Sequence, residues 1–137
     1  MLELGRYLVG EAGYFLTRVI TTKKSRGSRI AICDGGMNNN LPASGHFGMV
    51  VKRNYRMHKV GGGDDIGPVD LVGPLCTSID RLGSAVELPA LAPGSLVAIH
   101  NGGAYGLTAS PMHFINHAVP REVIVEGTSM RDASRLC

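Results

Sequence analysis

The chain has 137 residues, 44% hydrophobic and 18% charged, with a formal net charge of +3, which admits one domain with a modest core and excludes a disordered polypeptide. With 5% aromatic residues and no Trp, it lacks the stacked aromatic-on-basic surface of single-strand nucleic-acid binders, so no nucleic-acid partner is expected. No apolar run approaches the roughly 20 residues of a bilayer span and the N-terminus lacks the basic-then-apolar order of a secretory signal, so the expectations are no membrane partner and a cytoplasmic location.

In residues 3–16, Leu8, Ala12, Phe15 and Leu16 fall at helical spacing after Gly5, which predicts a short helix starting near Arg6. Gly10 and Gly13 each weaken such a helix by up to roughly 1 kcal/mol relative to Ala, so packing must hold it. A helix start there also offers free N–H groups to an anion. Residues 17–24 are rich in β-branched side chains and 28–34 alternate into an apolar run, two strands of a hairpin that turns at Lys24-Ser25-Arg26-Gly27. Asp34-Gly35-Gly36-Met37-Asn38-Asn39-Asn40 then leaves the sheet through residues that tolerate left-handed backbone. Residues 48–53 and 55–59 read as one bent strand, and 61–67 as a flexible connection.

Residues 69–73 lead into the bend Gly73-Pro74-Leu75-Cys76-Thr77-Ser78-Ile79-Asp80. Two further strands, 85–88 and 95–100, turn between Pro89 and Pro93-Gly94; the last strand is 122–126, and 127–137 reads as a frayed polar tail. The nineteen glycines cluster at bends between short β-branched runs. The fold class is therefore mainly β, a Greek-key-like barrel or sandwich of about seven short strands with one N-terminal helix.

Cys33, Cys76 and Cys137 form an odd set without Cys-x-x-Cys spacing, which indicates neither a disulfide framework nor a zinc knuckle. His113 and His117 are four apart but lie between Pro111 and Pro120, and no metal is expected. Two features remain to be explained. Cys76 is a lone thiol in a bend that starts Gly-Pro, a poor place for core packing, though a buried inert cysteine is the commoner fate of a lone Cys. Tyr105 is a phenol among the small residues of Gly102-Gly103-Ala104-Tyr105-Gly106, or a half-buried strand-end tyrosine. Two polar tips on separate loops suggest one site to which the chain contributes without completing it.

Together, Gly-Pro-Leu-Cys-Thr-Ser-Ile-Asp, Gly-Ala-Tyr-Gly and Asp-Gly-Gly-Met-Asn, in that spacing, resemble the C-terminal part of the pyridoxal-phosphate-dependent decarboxylases of the alanine racemase-like fold, the family of diaminopimelate and ornithine decarboxylases. Ser44-Gly45-His46-Phe47-Gly48, Lys52-Arg53-Asn54-Tyr55 and Gly103-Ala104-Tyr105-Gly106-Leu107 look most like the members from secondary metabolism and exopolysaccharide clusters, some of which act on an aminoacyl group tethered to a carrier protein.

The resemblance implies a dimeric enzyme whose barrel carries pyridoxal 5'-phosphate on a lysine and whose β-domain closes the site of a neighbouring subunit. This chain would hold the last barrel edge and helix (1–16), the β-domain (17–126) and a tail (127–137). The anchoring lysine would belong to a barrel partner, because Lys23 and Lys24 sit at the hairpin turn, and the chain alone would be inactive. In that reading Cys76 delivers a proton to the substrate's α-carbon. Glu3 pairs with the pyridine nitrogen, Gly5 and Arg6 line the phosphate, and the Tyr105 hydroxyl donates to it. Thr77 and Asp80 fall on the substrate side, Asp80 equally readable as a turn cap.

Two departures bear on substrate. Thr77 stands where relatives that bind a distal ammonium carry an acidic residue, and Leu41-Pro42 where diaminopimelate decarboxylases carry an arginine. A neutral or acidic amino acid, carrier-tethered or free, is the expectation. Lys52, Arg53, Arg56 and Lys59 would steer an acidic carrier or form a solvated face. Glu3-Leu4-Gly5-Arg6 lacks the proline of the family's Glu-Pro-Gly-Arg. The alternative function is a noncatalytic β-domain serving only as an interaction or dimerisation module.

Overall fold

The structure is a computed structural model that describes residues 4–134. Strand alternation builds its wall. In Phe15–Ser25 (β1), Thr17 and Val19 turn inward while Leu16, Arg18 and Ile20 face out. Ser28–Cys33 (β2) pairs antiparallel to it, with Ser25 opposite Ser28. Arg26 at φ 50° and Gly27 at φ 82° supply the two left-handed residues that match a tight turn to the twist of its strands. Met57–Lys59 (β3), Gly67–Val72 (β4), Arg81–Leu88 (β5) and Leu96–Ile99 (β6) complete a six-stranded sheet in the order β3-β6-β1-β2-β4-β5. β2 and β4 run parallel; the other neighbours are antiparallel.

The sheet curls until its edges meet. Asn54, just ahead of β3, donates from Nδ2 to the Ser84 carbonyl at 2.6 Å and accepts from the Ser84 N–H at 3.0 Å. The Met57 side chain lies against Gly83, where a Cβ would come within 3.1 Å of its methyl. The result is a nearly closed barrel, as the mainly β expectation held. Val19, Leu71, Leu82, Leu88, Val97 and Ile99 fill it, each contributing roughly 1.5–3 kcal/mol by burial.

Cys33 belongs to this core and is 0% exposed. Burial pushes its thiol up from 9.0 to about 12; the Thr17 hydrogen bond pulls it back, and the Asp34 and Asp80 charges push it further up. The folded state thus favours the neutral thiol, an advantage fully present below pH 9 and lost as pH rises toward 12. Relative to Cys33→Ala, unfolding titrations should lose stability across that window, by up to on the order of 4 kcal/mol.

Three sequence expectations change. The helix (α1) covers only Gly5–Val9, continues as a 3-10 turn over Gly10–Ala12, and stops because Gly13 is extended; Phe15 and Leu16 are already strand. Residues 48–53 form no strand, since Gly48 is left-handed and Val50 and Val51 project into solvent. The tail is not frayed through residue 134: Val123–Glu126 (β7) turns at Gly127 and pairs with Ser129–Asp132 (β8) as a separate two-stranded sheet, while 135–137 lie outside the described residues. Among the described residues no helix is long and apolar enough to cross a membrane.

Register decides where the loops gather. Phe15 and Met57 both lie opposite Ile99, Ile32 lies beside Val72, and Val72 lies opposite Arg81. The segments ahead of β1, β3 and β5 and those following β2, β4 and β6 therefore share one rim. The hairpin turn, residues 60–66 and residues 89–95 occupy the other.

Candidate active site

Gly5, Arg6, Cys76, Thr77, Asp80 and Tyr105 all stand on the first rim. The Tyr105 bend is built by close backbone approach. Gly102 donates to the Gly13 carbonyl at 2.9 Å and Gly103 to the Gly10 carbonyl at 3.0 Å. A Cβ on Gly103 would lie 2.0 Å from the Val9 carbonyl oxygen, and one on Gly13 would lie 2.4 Å from the Gly103 nitrogen, so both positions require glycine. Sequence reasoning took Gly10 and Gly13 for helix weakeners; their three-residue spacing is the signal that they dock a second bend.

This docking lays Arg6 on Tyr105, with the guanidinium carbon 5.3 Å from the ring centroid. The Phe47 ring also packs on Tyr105, tilted, with centroids 5.3 Å apart. Tyr105 itself sits at φ 61°, a left-handed conformation costly for a non-glycine residue, and it remains 47% exposed. Arg6 Nε and Nη2 are shielded from solvent and have no hydrogen-bond partner among the described residues. A cation with unused donors beside an exposed phenol has the chemistry to receive an oxyanion. Gly5 opens α1 with nothing within 4 Å of its Cβ direction, so a ligand can approach its backbone. α1 is too short to add a useful dipole. Glu3 lies outside the described residues.

Cys76 is free and exposed, so its bend presents the thiol instead of burying it. The Thr77 hydroxyl accepts a long 3.5 Å bond from the Ile79 N–H, and its carbonyl accepts from Asp80 N–H at 3.2 Å. The sequence leaves Asp80 either on the substrate side or as a turn cap. That carboxyl is 3% exposed and accepts from the Met37 and Leu75 N–H groups at 2.7 and 2.9 Å, which fits it to holding loops together. The Leu41 N–H donates to Ser110 Oγ at 2.8 Å, and Ser110 in turn donates to the Gly106 carbonyl, tying residues 36–44 to the Tyr105 bend.

The basic cluster is smaller than the sequence suggested. Lys52 Nζ donates to the Arg81 carbonyl at 2.7 Å, and burial together with the Arg81 charge lowers its pKa. Lys59 Nζ reaches the Ala90 carbonyl on the opposite rim at 2.9 Å. Arg53 and Arg56 stay exposed on the site rim without a carboxylate partner among the described residues. Beside them His58 Nδ1 and His100 Nε2 are 2.9 Å apart, with the Tyr14 ring edge-on to His100. Burial and the Arg56 and His58 charges hold His100 below its ordinary value. Nothing in the one-dimensional spacing pointed to this pair, because it forms across β3 and β6.

Comparison with known proteins agrees with the geometry. Residues 6–103 match the family described as pyridoxal-dependent decarboxylase, C-terminal sheet domain. The chain is 42% identical over 129 residues to the L-glutamyl-(BtrI acyl-carrier protein) decarboxylase of Niallia circulans, covering 90% of this chain and 30% of that protein. It is 40% identical over 104 residues to a diaminopimelate decarboxylase of Helicobacter pylori strain J99, covering 76% of this chain and 25% of that one.

Among solved structures, Helicobacter pylori diaminopimelate decarboxylase complexed with L-lysine superposes with a TM-score of 0.76 at 32% identity, over 93% of this chain and 30% of that one. The M. jannaschii enzyme in co-complex with L-lysine gives 0.82 at 27% identity, over 93% and 28%. The chain thus spans between a quarter and a third of the length of the curated relatives it matches. The full enzymes of this family use pyridoxal phosphate, and the unpaired Arg6 donors beside Tyr105 suit its phosphate. By the family match over most of its length, this chain belongs to the C-terminal sheet domains of the pyridoxal-dependent decarboxylases.

Proposed function

We propose that the chain closes the site of an amino-acid decarboxylase completed by a barrel domain and shared between two subunits. The observation that carries the reading is the Arg6 guanidinium seated on Tyr105, its Nε and Nη2 shielded and without a hydrogen-bond partner among the described residues, on the rim that also exposes the Cys76 thiol. Arg6 and Tyr105 hold the phosphate by charge and by hydroxyl donation, with the Gly5 backbone beside them. Bound pyridoxal phosphate supplies the electron sink that loss of the substrate carboxylate needs. Cys76 gives a proton to the substrate's α-carbon, and Thr77 offers no charge to a distal ammonium. Lys52, the lysine on this rim, is tied to the Arg81 carbonyl, so the barrel supplies the cofactor-anchoring lysine and the chain alone is inactive.

A glutamyl group on a carrier protein is the substrate of the Niallia circulans relative. For this chain, Thr77 and Leu41-Pro42 support a neutral or acidic aminoacyl group, and Arg53 and Arg56 support an acidic carrier as its bearer. Joined to a barrel domain from that relative and supplied with pyridoxal phosphate, the chain is expected to release carbon dioxide from glutamyl-carrier substrate in preference to free diaminopimelate. Arg53→Glu with Arg56→Glu should then raise KM for the carrier-bound substrate about tenfold at low salt, with kcat little changed. No carbon dioxide with any barrel partner would leave the domain as a dimerisation module.

A further inference from the structure

Two loops 43 positions apart in the chain meet at one carboxylate. Asp80 Oδ1 accepts from the Met37 N–H and Oδ2 from the Leu75 N–H, so each oxygen holds one loop. Around it the two chains have no room for side chains. A Cβ on Gly36 would fall 2.3 Å from Oδ1, and its three nearest neighbours all belong to the Asp80 carboxyl. A Cβ on Gly73 would fall 2.2 Å from Oδ2 and 2.5 Å from Gly36 Cα. The bend that carries Cys76 also closes on Asp80 through its main chain, Gly73 N–H donating to the Asp80 carbonyl at 3.0 Å. On the far side, Leu41 and Ser110 connect the 36–44 segment to Gly106, next to Tyr105.

We propose that Asp80 is a positioning residue that locks the Cys76 bend and the 36–40 loop into one rigid unit, fixing the thiol relative to Tyr105 through Ser110. A buried carboxylate is tolerated only while hydrogen-bonded, and bonds to it are the stronger class. Releasing one N–H strands a buried oxygen of the one carboxylate that both loops share, so they open together. This deepens the decarboxylase reading, because the positioned thiol is that reading's proton donor.

The test needs only the 137-residue chain. Hydrogen exchange at the Met37 and Leu75 amides is expected to give protection within about threefold of each other, and to fall together by at least about tenfold in Asp80→Asn. The Gly94 amide, bonded to the Val19 carbonyl on the opposite rim, should keep its protection. Gly36→Ala should speed iodoacetamide alkylation of Cys76, read on the peptide that carries it, by at least about threefold. Made on an Asp80→Ala background, where the methyl has space, the same change should add nothing further.

Wild-type protection of Met37 and Leu75 differing by more than about tenfold, or an unchanged Cys76 rate in Gly36→Ala, would overturn the lock. If the Asp80 variants fail to fold, the wild-type exchange comparison and Gly36→Ala decide it. Neither measurement involves the cofactor. A negative result for the lock would not decide whether the joined enzyme releases carbon dioxide, and absence of that release would not decide whether the lock exists.

Discussion

In the enzyme joined to its barrel, Cys76→Ala is expected to lower kcat about 100- to 10,000-fold, the range a positioned general acid supplies, with KM nearly unchanged. The thiol is exposed and takes no part in the core, so its removal leaves no cavity. Unfolding free energy should stay within about 0.5 kcal/mol of the parent, which separates a chemical loss from a folding one. Carbon dioxide release measures turnover, and the fate of the α-carbon proton measures the step: in deuterated solvent the residual product should acquire its label from water without a single stereochemical sense. Cys33→Ala is the counterpart. It opens a hole in the barrel and lowers stability, while the thiol it removes is held neutral and out of reach. A fall in kcat of under about threefold for Cys76→Ala would remove the thiol from the chemistry.

Gly103→Ala is the second large effect. The added methyl would sit 2.0 Å from the Val9 carbonyl oxygen and 2.9 Å from the Gly13 nitrogen, both backbone atoms that no rotamer change can clear. The N-terminal segment must back away, breaking the bonds from Gly102 and Gly103 to Gly13 and Gly10 and lifting Arg6 off the Tyr105 ring. Cofactor affinity in the joined enzyme is expected to fall about 10- to 100-fold, equivalent to about 1.4–2.8 kcal/mol. Absorbance titration with pyridoxal phosphate reads this directly. The barrel core, built from other residues, should melt within a few degrees of the parent. Unchanged affinity would mean that the phosphate is held without Arg6.

The wall of the molecule was legible in the sequence because each strand carries its own signal. Thr17 and Val19 alternate with outward residues, Arg26-Gly27 marks the tight turn, and Leu96–Ile99 is a continuous buried run. The site rim was legible as a set of Gly-rich bends holding Cys76 and Tyr105. What stayed hidden depends on pairs of segments distant in the chain. Asp80 could be read as a turn cap or a substrate contact because nothing local says that Met37 will arrive beside it. Lys52 and Lys59 looked alike until the barrel sent one to each rim. Ser129–Asp132 was missed because Ser-Met-Arg-Asp lacks an apolar alternation; β7 recruits it through the Gly127 turn.

Asn54 and Lys52 fasten one end of the 45–54 segment to β5, while Gly45 packs against the Lys52 stem at the other. Between these staples, the stretch from His46 to Val51 behaves as a replaceable cassette. It takes part in no strand pairing, so a change of length at its exposed Val50-Val51 tip is absorbed without moving the strand register, provided Phe47 keeps its seat on Tyr105.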